Sequence, residues 1–347
     1  MRRLYIVTIS LIVLICGCGG GGGGPGSTLN GNPQTSVGKI YVSNNPANSI
    51  VRFDNALTVT GNATPGATIS GSATQLSSPQ YMLLDAPNNR LFVANQGASS
   101  VLIFENASTK TGNVTPERTI SGAATQLASP VDLALDSGRN LLYVADGSNI
   151  LAFSSASTIS GNSPPVRTIG LGFAASAIFF DGTNDRLFIA DKAGNTVRIY
   201  DGASLLNGAV AANRILSGAA TQLNKPAGLQ LDTAGRLIVS NNGAPSITVY
   251  ANAAIINGNV VPTAAISGSN TNLGAPTQMI LNNGTTGGDL HVADGKTAAV
   301  LVFTNIAGAN GNIAPARSIS GSSTGLDRSA GGTGPFTATG IALDTTR

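Results

Sequence analysis

The stretch LFVANQGASSVLIFENASTKTGNVTPERTISGAATQLASPVDLALD occupies residues 91–136. Four segments in it read as short strands: LFVAN (91–95), VLIFE (101–105), RTIS (118–121) and VDLALD (131–136). All four are rich in β-branched or large apolar residues, and several alternate apolar with polar positions. Between and after them lie QGASS, NASTKTGNVTP, GAATQLASP and SGRN, clusters of Gly, Pro, Asn and Ser that make turns rather than helices.

The same unit recurs along the chain. IYVSN starts at Ile40, LFVAN at Leu91, LYVAD at Leu142, LFIAD at Leu187, LIVSN at Leu237 and LHVAD at Leu290, spaced by 51, 51, 45, 50 and 53 residues. Two loop phrases travel with it. One is GNATP (61–65), GNVTP (112–116), GNSPP (161–165), GNVVP (258–262) and GNIAP (311–315). The other is SGSATQL (70–76), SGAATQL (121–127 and 217–223), SGSNTNL (267–273) and SGSSTGL (320–326). Four short strands per unit and six radial copies predict an all-β chain folded as a six-bladed β-propeller of four-stranded antiparallel blades. The chain has no Trp, so a WD-type array is excluded.

LYVAD…NILAF and LFIADKAGNTVRIYD, with GLQLDTAGR (228–236) and GIALD (340–344), resemble the NHL repeat and the related YVTN-type propellers of bacterial surface proteins, over residues 39–347. The resemblance implies that GIALD is an innermost strand and LYVAD a second one. On that phase, blade one runs from Gln80, two from Val131, three from Ala177, four from Gly228 and five from Gln278. GIALD is then left without partners after it, while KIYVSN, SIVRFD and ATIS (39–70) lack an innermost strand before them. Together they make blade six, because an unclosed ring would leave two exposed strand edges. The C-terminal strand is therefore expected to join the N-terminal blade and close the ring.

Residues 1–17 have the basic start and apolar run of a secretory signal, with Arg2 and Arg3 ahead of Leu4–Ile15. The run is shorter than the roughly 20 residues of a membrane span. ICGC then resembles the lipobox of bacterial lipoproteins, which implies cleavage before Cys18 and acylation of that cysteine; an ordinary cleaved signal is the alternative. Residues 18–38, opening with Cys18 and six glycines, read as a flexible tether. Cys16 leaves with the leader and Cys18 carries lipid, so no disulfide or thiol chemistry is expected. The lipoprotein resemblance also implies that Gly19, in place of Asp, favours the outer membrane of a bacterial envelope that has one.

Only 10% of residues are charged and the formal charge is +3. Without Arg2 and Arg3 the balance falls to 17 basic against 16 acidic residues, and no basic run or aromatic motif points to nucleic acid. His291 stands where Tyr143 and Phe188 stand in sister copies, which reads as a core position rather than a catalytic base. Asp85, Asp136, Asp181, Asp232 and Asp344 (with Asn282) and Asp146, Asp191 and Asp294 (with Asn44, Asn95 and Asn241) recur at strand ends, where such side chains hold turns. No cofactor is expected, and calcium on those carboxylates is the rival reading. Calcium-dependent lactonases, also six-bladed propellers, use channel carboxylates that include Glu, whereas this chain has only Glu105 and Glu117, both on outer strands.

What remains is a loop-bearing face. Asn95, Gln96, Asp191, Lys192, Asn241, Asn242, Asp294, Asp327 and Arg328 are the candidate binding residues. The longest insertion (327–340) and the shortest connection, GLGFAAS (170–176), break the regularity of that face. The resulting expectation is a monomeric, non-catalytic, lipid-anchored scaffold for a protein, peptide or glycan; the alternatives are a lactonase-like enzyme and a structural envelope protein without a dedicated ligand.

Overall fold

The computed structural model describes residues 38–326 and 338–347. They form six antiparallel sheets whose innermost strands neighbour one another around a ring, a six-bladed β-propeller. The innermost strands are Pro79–Asp85, Pro130–Asp136, Ala175–Asp181, Pro226–Leu231, Pro276–Asn282 and Ala338–Asp344 for blades one to six. Each begins one or two residues earlier than the repeat alignment places it, because its first residues pair beyond a β-bulge.

Blade six has the order Ala338–Asp344, Lys39–Asn44, Ser49–Asp54, Ala67–Ser70, so the ring closes through the C-terminal strand as expected. Lys39 opposes Asp344, Ile40 opposes Leu343 and Val42 opposes Ile341. The turn that is covalent in other blades is rebuilt across the gap: the Gly38 N–H donates to the Arg347 carbonyl at 2.7 Å. The Gly38 carbonyl then accepts from Ala56 N–H, as the Asn89 carbonyl accepts from Ala107 N–H and the Asn140 carbonyl from Ala156 N–H in blades one and two.

Six apolar clusters hold the ring, one between each pair of adjacent blades. Both faces of a blade are therefore covered, and the second strands are buried almost end to end. This explains why LFVAN and LYVAD read as continuous apolar runs rather than strict alternation. One aromatic per third strand, Phe53, Phe104, Phe153, Tyr200, Tyr250 and Phe303, fills these interfaces; burying each contributes roughly 1.5–3 kcal/mol.

The two recurrent loop phrases turn out to be halves of one latch between neighbouring blades. In SGxxTxL, Thr74 Oγ donates to the Gly71 carbonyl at 2.6 Å and accepts from Leu76 N–H, closing a 3₁₀ turn. The next blade's GN asparagine caps that turn: Asn113 Oδ1 accepts from Ala73 N–H at 2.7 Å. Asn162, Asn259, Asn312 and Asn62 do the same for the following turns. The turn glycine is required twice over. Gly71 has φ +110°, and a Cβ there would sit 2.5 Å from Asn113 Oδ1. Between blades two and three the latch is absent. Residues 171–174 contain no 3₁₀ turn, and Ala209 follows Gly208 where the other copies have Asn. What survives there is the backbone bridge, Gly208–Ala209 paired with Ile169–Gly170, and the bond that Asn207 Oδ1 accepts from Thr168 N–H at 3.1 Å.

Candidate functional site

The third residue of the six innermost strands forms one layer of the central channel. In blade order it is Tyr81, Asp132, Ala177, Gly228, Gln278 and Gly340. Three large or polar groups fill the layer and three small residues make room. The β-bulges tilt neighbouring amides out of the ladder, and side chains of this layer satisfy them. Gln278 Oε1 accepts from Met82 N–H at 3.1 Å and Ile341 N–H at 2.8 Å. Asp132 accepts from Leu133 N–H and Ile178 N–H, both at 2.8 Å. Gln278 Nε2 donates to the Met82 carbonyl at 2.9 Å and lies 3.4 Å from Asp132 Oδ1.

The small residues have their own cause. A Cβ on Gly340 would come within 2.6 Å of the Gln80 carbonyl, and one on Gly228 within 2.4 Å of the Thr277 carbonyl. At both places a serine of the adjacent second strand fills the space, Ser43 donating to Gln80 and Ser240 to Thr277. The VSN variants of the repeat therefore go with glycine in the channel layer, and the VAN or VAD variants with a side chain there.

Tyr81 crosses the channel from blade one to blade four and donates its hydroxyl to the Ala227 carbonyl at 2.7 Å. Burial raises its pKa, and Asp132 adds to the rise, so the phenol remains a donor. Asp132 is itself fully enclosed. Burial pushes its carboxyl up to about 7 against the opposing pull of the two backbone amides.

This layer divides the channel. On the side of the hairpins between first and second strands lies a cavity of about 180 Å³, walled by Leu84, Leu135, Phe179, Phe180, Ile280 and Leu343 with Asp132 and Gln278 at its inner end. On the opposite face a wider cavity of about 460 Å³ opens at the channel mouth. Tyr81 is its floor, and Val131, Ala174, Ala175, Ala193 and Ala227 give it apolar walls. Gln80, Ser176, Lys192 and Lys225 supply its polar groups. Ala174 ends the short connection that lacks the latch turn, and Ala175 and Ser176 open the innermost strand that follows it. Burial lowers the pKa of Lys192, and the neighbouring Lys225 lowers it further.

The residues singled out in the sequence divide into three groups here. Asn95, Asp191, Asn241 and Asp294 are buried and spent on turns: Asn95 accepts from Ser77 N–H, Asp191 from Gly194 N–H, Asn241 from Asn224 N–H and Asp294 from Gly274 N–H. Gln96 and Asn242 bridge blades, donating to Ser129 Oγ and the Pro276 carbonyl. Lys192 lines the mouth cavity. Asp327, Arg328 and Cys18 lie outside the described residues. Among the described residues no group of three or more His, Cys, Asp or Glu is placed to hold a metal ion. His291 is fully buried in its second strand; burial, with help from Arg317, pushes its imidazole down to about 4. Reading the repeat for its constant columns missed Tyr81, Asp132, Gln278 and Lys225. Their signal is the opposite one: columns whose residue type changes from copy to copy instead of staying fixed.

No protein-family model matches this chain, and no curated protein matches it. Solved structures do. A chain in a crystal structure of a nidogen–laminin complex superposes with a TM-score of 0.59 at 14% identity, covering 88% of this chain and 98% of that one. A functionally unknown protein from Desulfotomaculum acetoxidans gives 0.52 at 15% identity, covering 82% and 80%. The likeness is one of fold: the chain is a six-bladed propeller.

Proposed function

We propose that this protein is a non-catalytic binding module, held on a bacterial envelope by lipid on Cys18, that takes its ligand on the face bearing the mouth cavity. The observation that carries this reading is the coincidence of that cavity with the one break in the latch pattern. A rigid scaffold presents a site where its repeat varies, which is where specificity on propeller loops is built. The neighbour taken from a nidogen–laminin complex, an assembly of proteins, supports a binding role for this shape. The leader, the lipobox-like ICGC and the glycine tether support the anchor.

Photo-crosslinking tests the face. A benzoylphenylalanine at Ala244, on the mouth face, is expected to capture a reproducible partner in the envelope, whereas one at Ser137, in a hairpin on the opposite face, is not. Equal capture from both positions, or none from either, overturns the reading. For the anchor, Cys18→Ala is expected to release the protein from the membrane fraction and to abolish labelling by an acyl chain. Turnover of a lactone together with a calcium-dependent rise in melting temperature would move the protein to the enzyme class.

A further inference from the structure

We infer that the mouth cavity binds a carboxylate borne on a compact apolar body, an inference that rests on the mouth face being the binding face.

The cations there are set free by their places in the repeat. The position of Lys192 is held by Asn45, Gln96, Gly147, Asn242 and Gly295 in the other blades. Where that residue is an amide it ties its blade to the next: Asn45 and Asn242 donate to the carbonyls of Pro79 and Pro276, and Gln96 to Ser129. The corresponding carbonyl for Lys192 is that of Pro226, and Ser176 Oγ already donates to it at 2.8 Å. Lys225 stands where Ser78, Ser129, Ala174 and Ala275 stand. Its backbone is fixed, N–H to Asn195 Oδ1 at 2.7 Å and carbonyl from Asn242 N–H at 3.1 Å, so its side chain alone is left to act.

Among the described residues no anion serves these two ammonium groups. Among the described residues neither is in an ion pair, and the nearby Lys225 ammonium raises the electrostatic cost of the charge on Lys192. Asp191, next in sequence, is committed to Arg198 at 3.2 Å and to Gly194 N–H. Asp132 lies below the Tyr81 floor, where burial suppresses its charge. An incoming anion relieves the repulsion and finds two donors. The remaining wall, Val131, Ala174, Ala175, Ala193, Ala227 and the Tyr81 ring, has little to offer a strongly hydrated polyanion and much to offer an apolar body. The volume of about 460 Å³ falls within the range of small-molecule sites.

The test is calorimetric titration of the full chain with octanoate and 3-phenylpropionate, and with their neutral primary amides. Saturable binding of the acids is expected, with the amides weaker by about tenfold or more, and the preference shrinking as salt rises. Lys192→Ala and Lys225→Ala are each expected to weaken the acids about five- to tenfold, the discount for exposure included, and the double variant to erase the preference over the amides. Lys→Arg at either site should retain it. Lys296→Ala, on the same face but outside the cavity wall, should leave it unchanged, and melting temperatures check that each variant is folded. A short peptide ending in Phe with a free carboxyl, against the same peptide amidated, separates a free acid from a chain terminus as the source of the carboxylate. Equal affinity for acids and amides, or a double variant that binds as the wild type does, overturns carboxylate recognition while leaving the cavity as a binding site. No saturable binding of any acid or peptide overturns it too, and the crosslinking result then decides separately whether the mouth face binds anything.

Discussion

Five seams of this ring are latched and one is not. Where blade one meets blade two, the 3₁₀ turn Ala123–Thr125 is closed by Thr125, capped by Asn162 and opened by a glycine at φ +113°. Where blade two meets blade three, the chain runs from the outermost strand to Ala175 without the turn, and Ala209 replaces the cap. Both halves are missing at the same seam. Each half has a partner only in the other, since an Asn at 209 would meet no turn and a turn at 171–174 would present uncapped amides. The comparison teaches that a repeat protein varies in coupled pairs of loops, and that the seam without the turn borders the cavity that Lys192 lines.

The strongest way to break this comparison is to open a different seam. Deleting residues 340–347 removes most of the innermost strand of blade six and leaves the edge of Lys39–Asn44 unpaired. The expected result is loss of a cooperative melt. A truncated chain that melts within a degree or two of the full one would show that closure matters little, and the missing latch would then carry no weight.

Glycine substitutions sharpen the contrast. Gly122→Ala puts a Cβ 2.5 Å from Asn162 at a φ that alanine resists, and should cost about 2–4 kcal/mol. Gly172→Ala, at the unlatched seam, has φ +75° and no atom within 4 Å, so only the backbone penalty of about 1 kcal/mol is expected. Urea denaturation of both variants makes the comparison directly. Next in size, Asn162→Ala should cost about 1 kcal/mol by stranding a capped amide, whereas Ala209→Asn should change nothing measurable. Similar losses at both positions would refute the latch.

The smallest effect concerns pH. The buried His291 has its folded pKa pushed down to about 4, below its ordinary value of 6.5. The folded form disfavours the proton, so its contribution is complete above pH 6.5 and is lost as pH falls toward 4. Neither ring nitrogen completes a well-formed hydrogen bond. His291→Phe, which copies Phe188, should therefore raise the melting temperature slightly at pH 7 and by more at pH 5. A variant whose advantage is the same at both values would contradict this.

Much of the architecture was readable from IYVSN and its copies, because strand period, turn residues and repeat length are local properties of the chain. Ring closure was readable as well, since GIALD had to find partners somewhere. The roles of Asn95, Asp191, Asn241 and Asp294 were harder. Strand-end carboxylates and amides look alike whether they face a ligand or their own turn, and only the placement of Ser77, Gly194, Asn224 and Gly274 showed the latter.

The sequence by itself thus determined the blade, its count and the positions that vary. It did so through hydrophobic pattern and glycine placement, which act over a few residues. Tertiary structure alone decided that GN and SGxxTxL meet across a seam. It also decided that Tyr81 reaches Ala227 across the channel, and that Lys192 and Lys225 share one cavity. Those residues are 33 to 261 apart in the chain and become neighbours only once the ring closes, so no local rule of sequence could join them.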